Sequence, residues 1–193
     1  SNHIRDIPTE AATQKFTAWD LGISDSTSIW VCETIGGEVR LMDYYENHGQ
    51  GLDHYIAWLD ENKYRDYTHI LPHDVQVREL QTGKSRYEFL TDAGLNIDIA
   101  PKSGVEDGIM AVRKMLPTCY FNKDTTKFGV ECLRNYRRVF NEKLNVYQEK
   151  PLHDWTSHCA DAFRYLALGM NTSGTMKRTN WTQPFDTTYD GES

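Results

Sequence analysis

Apolar and polar residues alternate along the early part of the chain, and this alternation predicts β-strands rather than helices. Three such stretches cover residues 16–23, 28–33 and 38–45, and a Gly36-Gly37 pair separates the second stretch from the third. A two-glycine link between alternating segments is typical of a β-hairpin. We therefore expect three consecutive antiparallel strands.

Beyond residue 50 the period changes, because apolar residues now recur every three or four positions between short apolar runs. This pattern is typical of helices that alternate with strands. The predicted helices cover residues 53–64, 86–93, 103–116, 127–140 and 153–170, and the predicted strands cover residues 67–71, 95–100 and 118–121.

These elements predict an α/β fold with a mixed central sheet, in which three antiparallel strands are followed by parallel strands, flanked by helices. We expect the first strand to lie at the centre of the sheet. Residues 1–15 show no periodicity and are expected to be a flexible lead-in to one domain at residues 16–170. The polar residues 171–193 predict a disordered C-terminal tail.

Composition narrows the class of protein. The net charge of −7 over 193 residues argues against a free-standing, tight DNA binder, which would be basic, but it is compatible with a metal site built from carboxylates. Four scattered cysteines without a C-x-x-C pair predict reduced thiols rather than disulfides or a zinc site. Ser1-Asn2-His3 has the composition of a cloning remnant, so we expect the chain to be part of a longer protein. No apolar run reaches membrane-spanning length.

Three carboxylates are candidates for a common site. Asp20 lies late in the first strand, where Asp is unfavourable unless it has a function. Asp74 follows the fourth strand, so the two carboxylates converge if these strands are parallel neighbours. Asp161 lies on the last helix beside the apolar stripe, and His158 precedes it on the same face. Such carboxylates can hold two divalent cations, and Mg²⁺ suits oxygen ligands.

The chain resembles the C-terminal nuclease domain of the large terminase subunit of tailed bacteriophages with headful DNA packaging. The motifs occur in the family's order over about residues 16–168. They are Asp20-Leu21-Gly22-x-x-Asp25-Ser26-Thr27, Pro72-His73-Asp74 with Arg78 and Thr82-Gly83-Lys84-Ser85-Arg86, Glu106-Asp107-Gly108-Ile109-x-x-Val112-Arg113, and His158-x-x-Asp161-Ala162-x-Arg164-Tyr165.

The resemblance implies an RNase H-like fold and a two-metal endonuclease that cuts concatemeric DNA with little sequence specificity during viral genome packaging. By motif, Asp20, Asp74 and Asp161 would be the metal ligands for two Mg²⁺ ions, with Mn²⁺ as a substitute. No G-x-x-x-x-G-K-[ST] motif occurs, so the family's ATPase domain is not expected within these residues.

The resemblance also implies partners. These are double-stranded DNA, the N-terminal ATPase domain of the same full-length protein, the small terminase subunit and the portal protein, which could be contacted through the tail at residues 171–193. The expected location is the host cytoplasm, at the procapsid portal, with no membrane association.

Several roles have two interpretations. His158 is a catalytic candidate, as a metal ligand, an outer-shell group or a proton shuttle. It could equally be an interior histidine whose ring nitrogens are hydrogen-bonded within the protein. Asp25 fits a polar turn, with an outer-shell role as the alternative. In an otherwise acidic chain, the basic residues Arg78, Lys84 and Arg86 predict contacts with DNA phosphates. The alternative is that they form an ordinary solvated surface.

Two other functions remain open at the level of sequence. A Holliday-junction resolvase or a hybrid-cleaving ribonuclease of RNase H-like fold would need the same three carboxylates. A non-catalytic module that docks the motor to its portal or to DNA belongs to a different class, and its behaviour would not depend on Asp20.

Overall fold

A computed structural model describes residues 3–8, 12, 14–22, 26–145 and 156–172. Seven strands and five helices occur among these residues. The strands are β1 (Ile4–Arg5), β2 (Gln14–Asp20), β3 (Ser26–Ile35), β4 (Glu38–His48), β5 (Thr68–Leu71), β6 (Asn96–Ile99) and β7 (Cys119–Asn122). The helices are α1 (Leu52–Glu61), α2 (Arg86–Asp92), α3 (Val105–Met115), α4 (Lys127–Asn145) and α5 (Thr156–Thr172).

The strands form one mixed sheet in the order β1-β7-β4-β3-β2-β5-β6. The pairs β2–β3 and β3–β4 are antiparallel, and β2–β5, β5–β6, β4–β7 and β1–β7 are parallel. The predicted hairpin between β3 and β4 is confirmed: Gly36 and Gly37 have φ values of 54° and 85°, which a primed turn requires and which glycine adopts without strain.

Two details of the prediction were wrong. The strand in the middle of the sheet is β3, because β7 and β1 add beyond β4 and move the centre away from β2. Within the predicted lead-in, Ile4–Arg5 forms a strand, since Ile4 and Arg5 pair with Phe121 and Asn122 of β7. A strand of two residues is too short to show a hydrophobic period, so the sequence could not predict it. It forms only because β7, more than 100 positions away in the chain, pairs with it.

Apolar side chains cover both faces of the sheet, as its parallel strands require. On one face β2–β4 pack against α4 and α5, and α3 packs on α5; the buried residues of this layer include Trp30, Met115, Phe163 and Leu166. On the other face Trp19 packs with Tyr55 and Leu59 of α1 and Leu90 of α2. The prediction of a sheet flanked by helices is therefore confirmed.

The four cysteines are buried and free, as predicted. None of the helices within the described ranges combines the length and the apolarity needed to cross a membrane. Asp25 and residues 173–193 lie outside the described residues, so the predictions for Asp25 and for the C-terminal tail stay predictions.

Candidate functional site

Asp20 is the last residue of β2, at the edge of the sheet where β5 also ends. Phe16, Thr17 and Ala18 pair in parallel with Thr68, His69 and Ile70, so the two strands point the same way. The chain leaves β5 through Pro72 into a short 3₁₀ turn, His73–Gln76, which carries Asp74. Asp74 is exposed while Val75 is buried, so the turn is anchored beneath the carboxylate. β2 and β5 are thus parallel neighbours, which is the condition that the predicted convergence of Asp20 and Asp74 required.

The helix α5 brings His158 to Asp20. It packs across β2, β3 and β5, with Cys159, Ala162 and Leu166 buried against the sheet. His158 Nδ1 lies 2.8 Å from Asp20 Oδ2, and both side chains are largely shielded from solvent. A carboxylate oxygen only accepts, so Nδ1 carries the proton and donates. His158 is thus a partner of a candidate ligand.

Asp161 lies one turn further along α5 and is held by Arg164. Arg164 Nη2 donates to Asp161 Oδ1 at 2.5 Å, and the arginine side chain is only 12% exposed. Burial disfavours the charged guanidinium, but the charge and the hydrogen bond of Asp161, together with Tyr136 and Tyr165, outweigh burial and raise the pKa of Arg164. Arg164 lies against Gly108 of α3, where a Cβ would come within 3.1 Å of Arg164 Cδ.

Electrostatics connect the three carboxylates. Burial raises the pKa of the Asp20 carboxyl, the hydrogen bond from His158 opposes this shift, and the charges of Asp161 and Asp74 add to the rise. Burial raises the pKa of Tyr165 to about 12, and the charges of Asp20, Asp161 and Asp74 contribute. Negative charge is thus concentrated at one edge of the sheet.

The donor chemistry at this edge fits a hard divalent cation, since carboxylate oxygens are the ligands Mg²⁺ and Mn²⁺ prefer. Burial is the main cause of the raised pKa of Asp20, and a cation there would relieve the repulsion from Asp161 and Asp74 that adds to it. The side chains do not form a finished cage: within the described ranges, no group of three or more His, Cys, Asp and Glu side chains is arranged to hold a metal ion.

The three basic residues predicted to contact DNA lie beside the Asp74 turn, and each has a protein partner. Arg86 Nη1 donates to the carbonyl oxygen of Leu21 at 3.1 Å, directly after Asp20. Arg78 pairs with Glu88 at 3.5 Å and Lys84 with Asp92 at 3.2 Å, and all four of these side chains are more than a third exposed. Their predicted role in binding DNA stays a prediction.

Sequence reasoning assigned no role to Arg164 or Tyr165. The signal for Arg164 was its position three residues after Asp161 on a helix, where oppositely charged side chains are neighbours. Arg164 also lines a cavity of about 540 Å³ together with Arg113, Arg134 and apolar side chains of α3 and α4. The arginine therefore connects the candidate site with the interior of the helical layer.

Solved structures of large terminases share this fold. The large terminase of the thermophilic bacteriophage D6E, in complex with ATP-gamma-S, matches with a TM-score of 0.64 and 16% identity over 88% of this chain. The P22 large terminase nuclease domain matches with a TM-score of 0.58 and 18% identity, covering 86% of this chain and 87% of that one. The nuclease domain of the g2p large terminase from bacteriophage SPP1, with bound Mn, matches with a TM-score of 0.54 and 17% identity, covering 88% and 95%.

These identities are low, so the similarity establishes the fold, which is that of large-terminase nuclease domains and is RNase H-like, as predicted. The chain spans 43% of the D6E large terminase. No protein-family model and no curated protein sequence matches the chain.

Proposed function

We propose that this chain is the endonuclease domain of a viral genome-packaging motor, which cuts concatemeric double-stranded DNA with divalent metal ions. One observation carries the proposal: the charges of Asp74 and Asp161 both act on Asp20, at one edge of a sheet whose fold is that of terminase nuclease domains. The crystal structure of the similar SPP1 nuclease domain contains bound Mn, which supports binding of a divalent metal in this fold.

Asp20, Asp74 and Asp161 would hold the metal. Two Mg²⁺ or Mn²⁺ ions bound there would supply the chemistry of phosphodiester hydrolysis, which is an activated water and stabilisation of the leaving oxygen. The chain's own groups orient the ligands: His158 donates to Asp20 Oδ2, and Arg164 donates to Asp161 Oδ1. Each donor occupies one oxygen of its carboxylate and leaves the second oxygen for another partner.

Substrate contacts come from the side of the site that carries Arg78 and Lys84. Their ion pairs are exposed, and exposed ion pairs contribute little, so phosphate oxygens can replace the carboxylates. Contacts to phosphates fix the position of the duplex without reading its bases, which agrees with cleavage of little sequence specificity.

The surrounding motor is part of the proposal. The D6E large terminase, of which this chain covers 43%, was solved in complex with ATP-gamma-S. We infer that this domain works with an ATPase domain of the same protein, the small terminase subunit and the portal protein, in the host cytoplasm at the procapsid portal.

A nicking assay on supercoiled plasmid tests the proposal. Wild type, Asp20→Asn and Asp161→Asn would be compared with Mn²⁺, Mg²⁺ or EDTA, and Asp66→Asn, at an exposed aspartate of the α1–β5 turn, is the matched control. We expect metal-dependent cleavage that falls at least about 100-fold in both site variants, since even outer-shell partners of a metal are worth about 10–100-fold.

The same assay separates the alternatives. Preferential cleavage of a four-way junction or an RNA–DNA hybrid would indicate a resolvase or a ribonuclease of the same fold. Cleavage that survives both substitutions would rule out this site. Metal-independent DNA binding without cleavage under any condition would indicate a docking module instead.

A further inference from the structure

An ordered loop, residues 77–84, projects from the candidate site between the Asp74 turn and α2. Arg78 forms an antiparallel bridge with Ser85, and the Glu79 amide donates to the Lys84 carbonyl at 3.0 Å. The Gly83 amide donates to the Glu79 carbonyl at 2.9 Å, and Gly83 has a φ of 68°, which closes the turn. The loop therefore has a defined hairpin-like shape.

Apolar side chains occupy the exposed part of this loop. Leu80 is fully exposed, and Val77 is 67% exposed. Exposed loop tips usually carry polar or small residues, because backbone and side chains there are solvated. A single exposed leucine is common on protein surfaces, but a leucine at the tip of a hydrogen-bonded loop next to a candidate active site calls for a partner.

The charges and the position of the loop identify that partner. Arg78 and Lys84 lie on either side of Leu80 in the chain and are 74% and 62% exposed. The loop begins three residues after Asp74, and Arg86, just beyond its end, donates to the carbonyl of Leu21. Leu80 thus lies between two cations in the chain. The loop that carries it starts at the edge of the sheet where the carboxylates lie. This combination complements a duplex, with phosphates outside and stacked bases between them.

We propose that Leu80 is a wedge that enters the minor groove and separates two adjacent base pairs of the DNA while Arg78 and Lys84 contact phosphates on either side. Apolar wedges of this kind partly unstack a base step and kink the duplex. The site consequently favours steps that unstack at low cost, such as TA and CA/TG steps or a mismatch, over stiff A-tracts. This inference rests on the proposed function, because it gives the nuclease its preferred DNA substrate.

Binding without cleavage tests the wedge directly. Asp20→Asn protein would be titrated with duplexes that carry 2-aminopurine at a TA step or within an A-tract, and the fluorescence of the bound base reports unstacking. We expect fluorescence to rise several-fold at the TA step, and Leu80→Ala to remove most of this rise while weakening binding by less than about tenfold.

Two variants complete the design. Met110→Ala changes an apolar residue of α3 that is 52% exposed, and it should behave like the parent protein. Arg78→Ala should weaken binding more strongly at low salt than at high salt, while each bound duplex keeps its fluorescence rise. Because Leu80 makes no buried contact, its substitution should leave the thermal midpoint unchanged.

Each outcome decides one of the two proposals. If Leu80→Ala matches the parent in fluorescence and in step preference, the wedge is wrong, and the loop is left as a surface for a protein partner. If the parent neither binds the duplexes nor unstacks the probe, the wedge is equally wrong. If the probe responds to Leu80 but the wild type cleaves no DNA with any metal, the wedge stands and the nuclease proposal fails.

Discussion

At the scale of single residues, α5 supplies a basic partner for each of two carboxylates. His158 holds Asp20 and Arg164 holds Asp161, and both donors are mostly shielded from solvent. The Arg164–Asp161 pair is favourable only if its geometry is kept, because the attraction between the two charges must offset the free-energy cost of desolvating the guanidinium. Gly108 leaves room for that geometry, since α3 has no side chain at this point of contact.

Arg164→Ala should lower the rate of DNA cleavage about 10–100-fold and weaken Mn²⁺ binding by a similar factor, because Asp161 loses the donor that orients it. It should also lower the free energy of unfolding by about 1–3 kcal/mol, since Asp161 is left half-buried without its partner. Titration calorimetry with Mn²⁺ and urea unfolding would measure these effects separately.

Three variants sharpen this prediction. Arg164→Lys, which keeps the charge but not the planar fork, should recover only part of the activity. Gly108→Ala should reduce Mn²⁺ affinity without removing any charge, because its Cβ would displace Arg164. Arg134→Ala removes another arginine with an acidic residue three positions away, but at 4.0 Å and with both side chains exposed, so it should have little effect. Equal Mn²⁺ binding by Arg164→Ala and wild type would contradict the positioning role.

At the scale of elements, the start of α2 determines the course of the chain beyond Asp74. Ser85 Oγ accepts from the Glu88 amide at 3.1 Å, and Glu88 Oε2 accepts from the Ser85 amide at 3.0 Å, which is a complete capping box. Ser85 also ends the 77–84 loop through its bridge to Arg78. The cap therefore anchors both the helix and the loop.

Ser85→Ala should destabilise the protein by about 0.5–2 kcal/mol, the usual cost of removing a helix N-cap. Urea unfolding with unchanged slope would measure it. Glu88→Gln is the control, because glutamine at this position still accepts from the Ser85 amide; it should cost less than Ser85→Ala. A larger loss for Glu88→Gln would mean that the ion pair with Arg78, rather than the capping box, holds the loop.

At the scale of the whole molecule, a buried chain of hydrogen bonds links β2 to β5 on the face of the sheet that carries Trp19. Trp19 Nε1 donates to Thr17 Oγ1 at 2.7 Å, and Thr17 Oγ1 lies 2.6 Å from His69 Nδ1. His69 Nε2 lies 2.9 Å from the carbonyl oxygen of Arg65 and donates to it. Neutral His69, with its proton on Nε2, satisfies every member of this chain.

Stability should therefore fall as the pH is lowered through the range where an unfolded histidine titrates. Burial lowers the pKa of His69 below its ordinary value of 6.5. The unfolded chain then takes up a proton as the pH falls through about 6.5 while the folded protein does not, which favours unfolding. The contribution of His69 is complete above this pH and is lost as the pH falls toward the folded-state pKa.

His69→Gln should reduce the loss of unfolding free energy between pH 7.5 and pH 5.5, although it lowers stability at pH 7.5. Urea unfolding of both proteins across this range would measure the difference. His48→Gln, at an exposed histidine, is the control for loss of an imidazole at the surface. If His69→Gln and wild type lost stability in parallel, the buried chain would not be the origin of the pH dependence.

Much of the fold could be predicted because its signals are local. Period-two and helical patterns predicted β2–β7 and all five helices to within a few residues, and Gly36-Gly37 predicted the turn between β3 and β4. The candidate residues Asp20 and Asp74 could be placed at strand ends in the same way. The strand at Ile4–Arg5 could not, because two residues have no period and gain order only from β7.

The sequence by itself thus determined the order and type of the elements, the α/β class and the carboxylates worth testing, since period and turn chemistry depend on neighbours within a few positions. Only the tertiary structure decided that His158 holds Asp20 across 138 positions, that Gly108 makes room for Arg164, and that Leu80 faces solvent beside the site. These facts depend on which surfaces meet when the sheet and its helices pack, and no local pattern in the chain encodes that meeting.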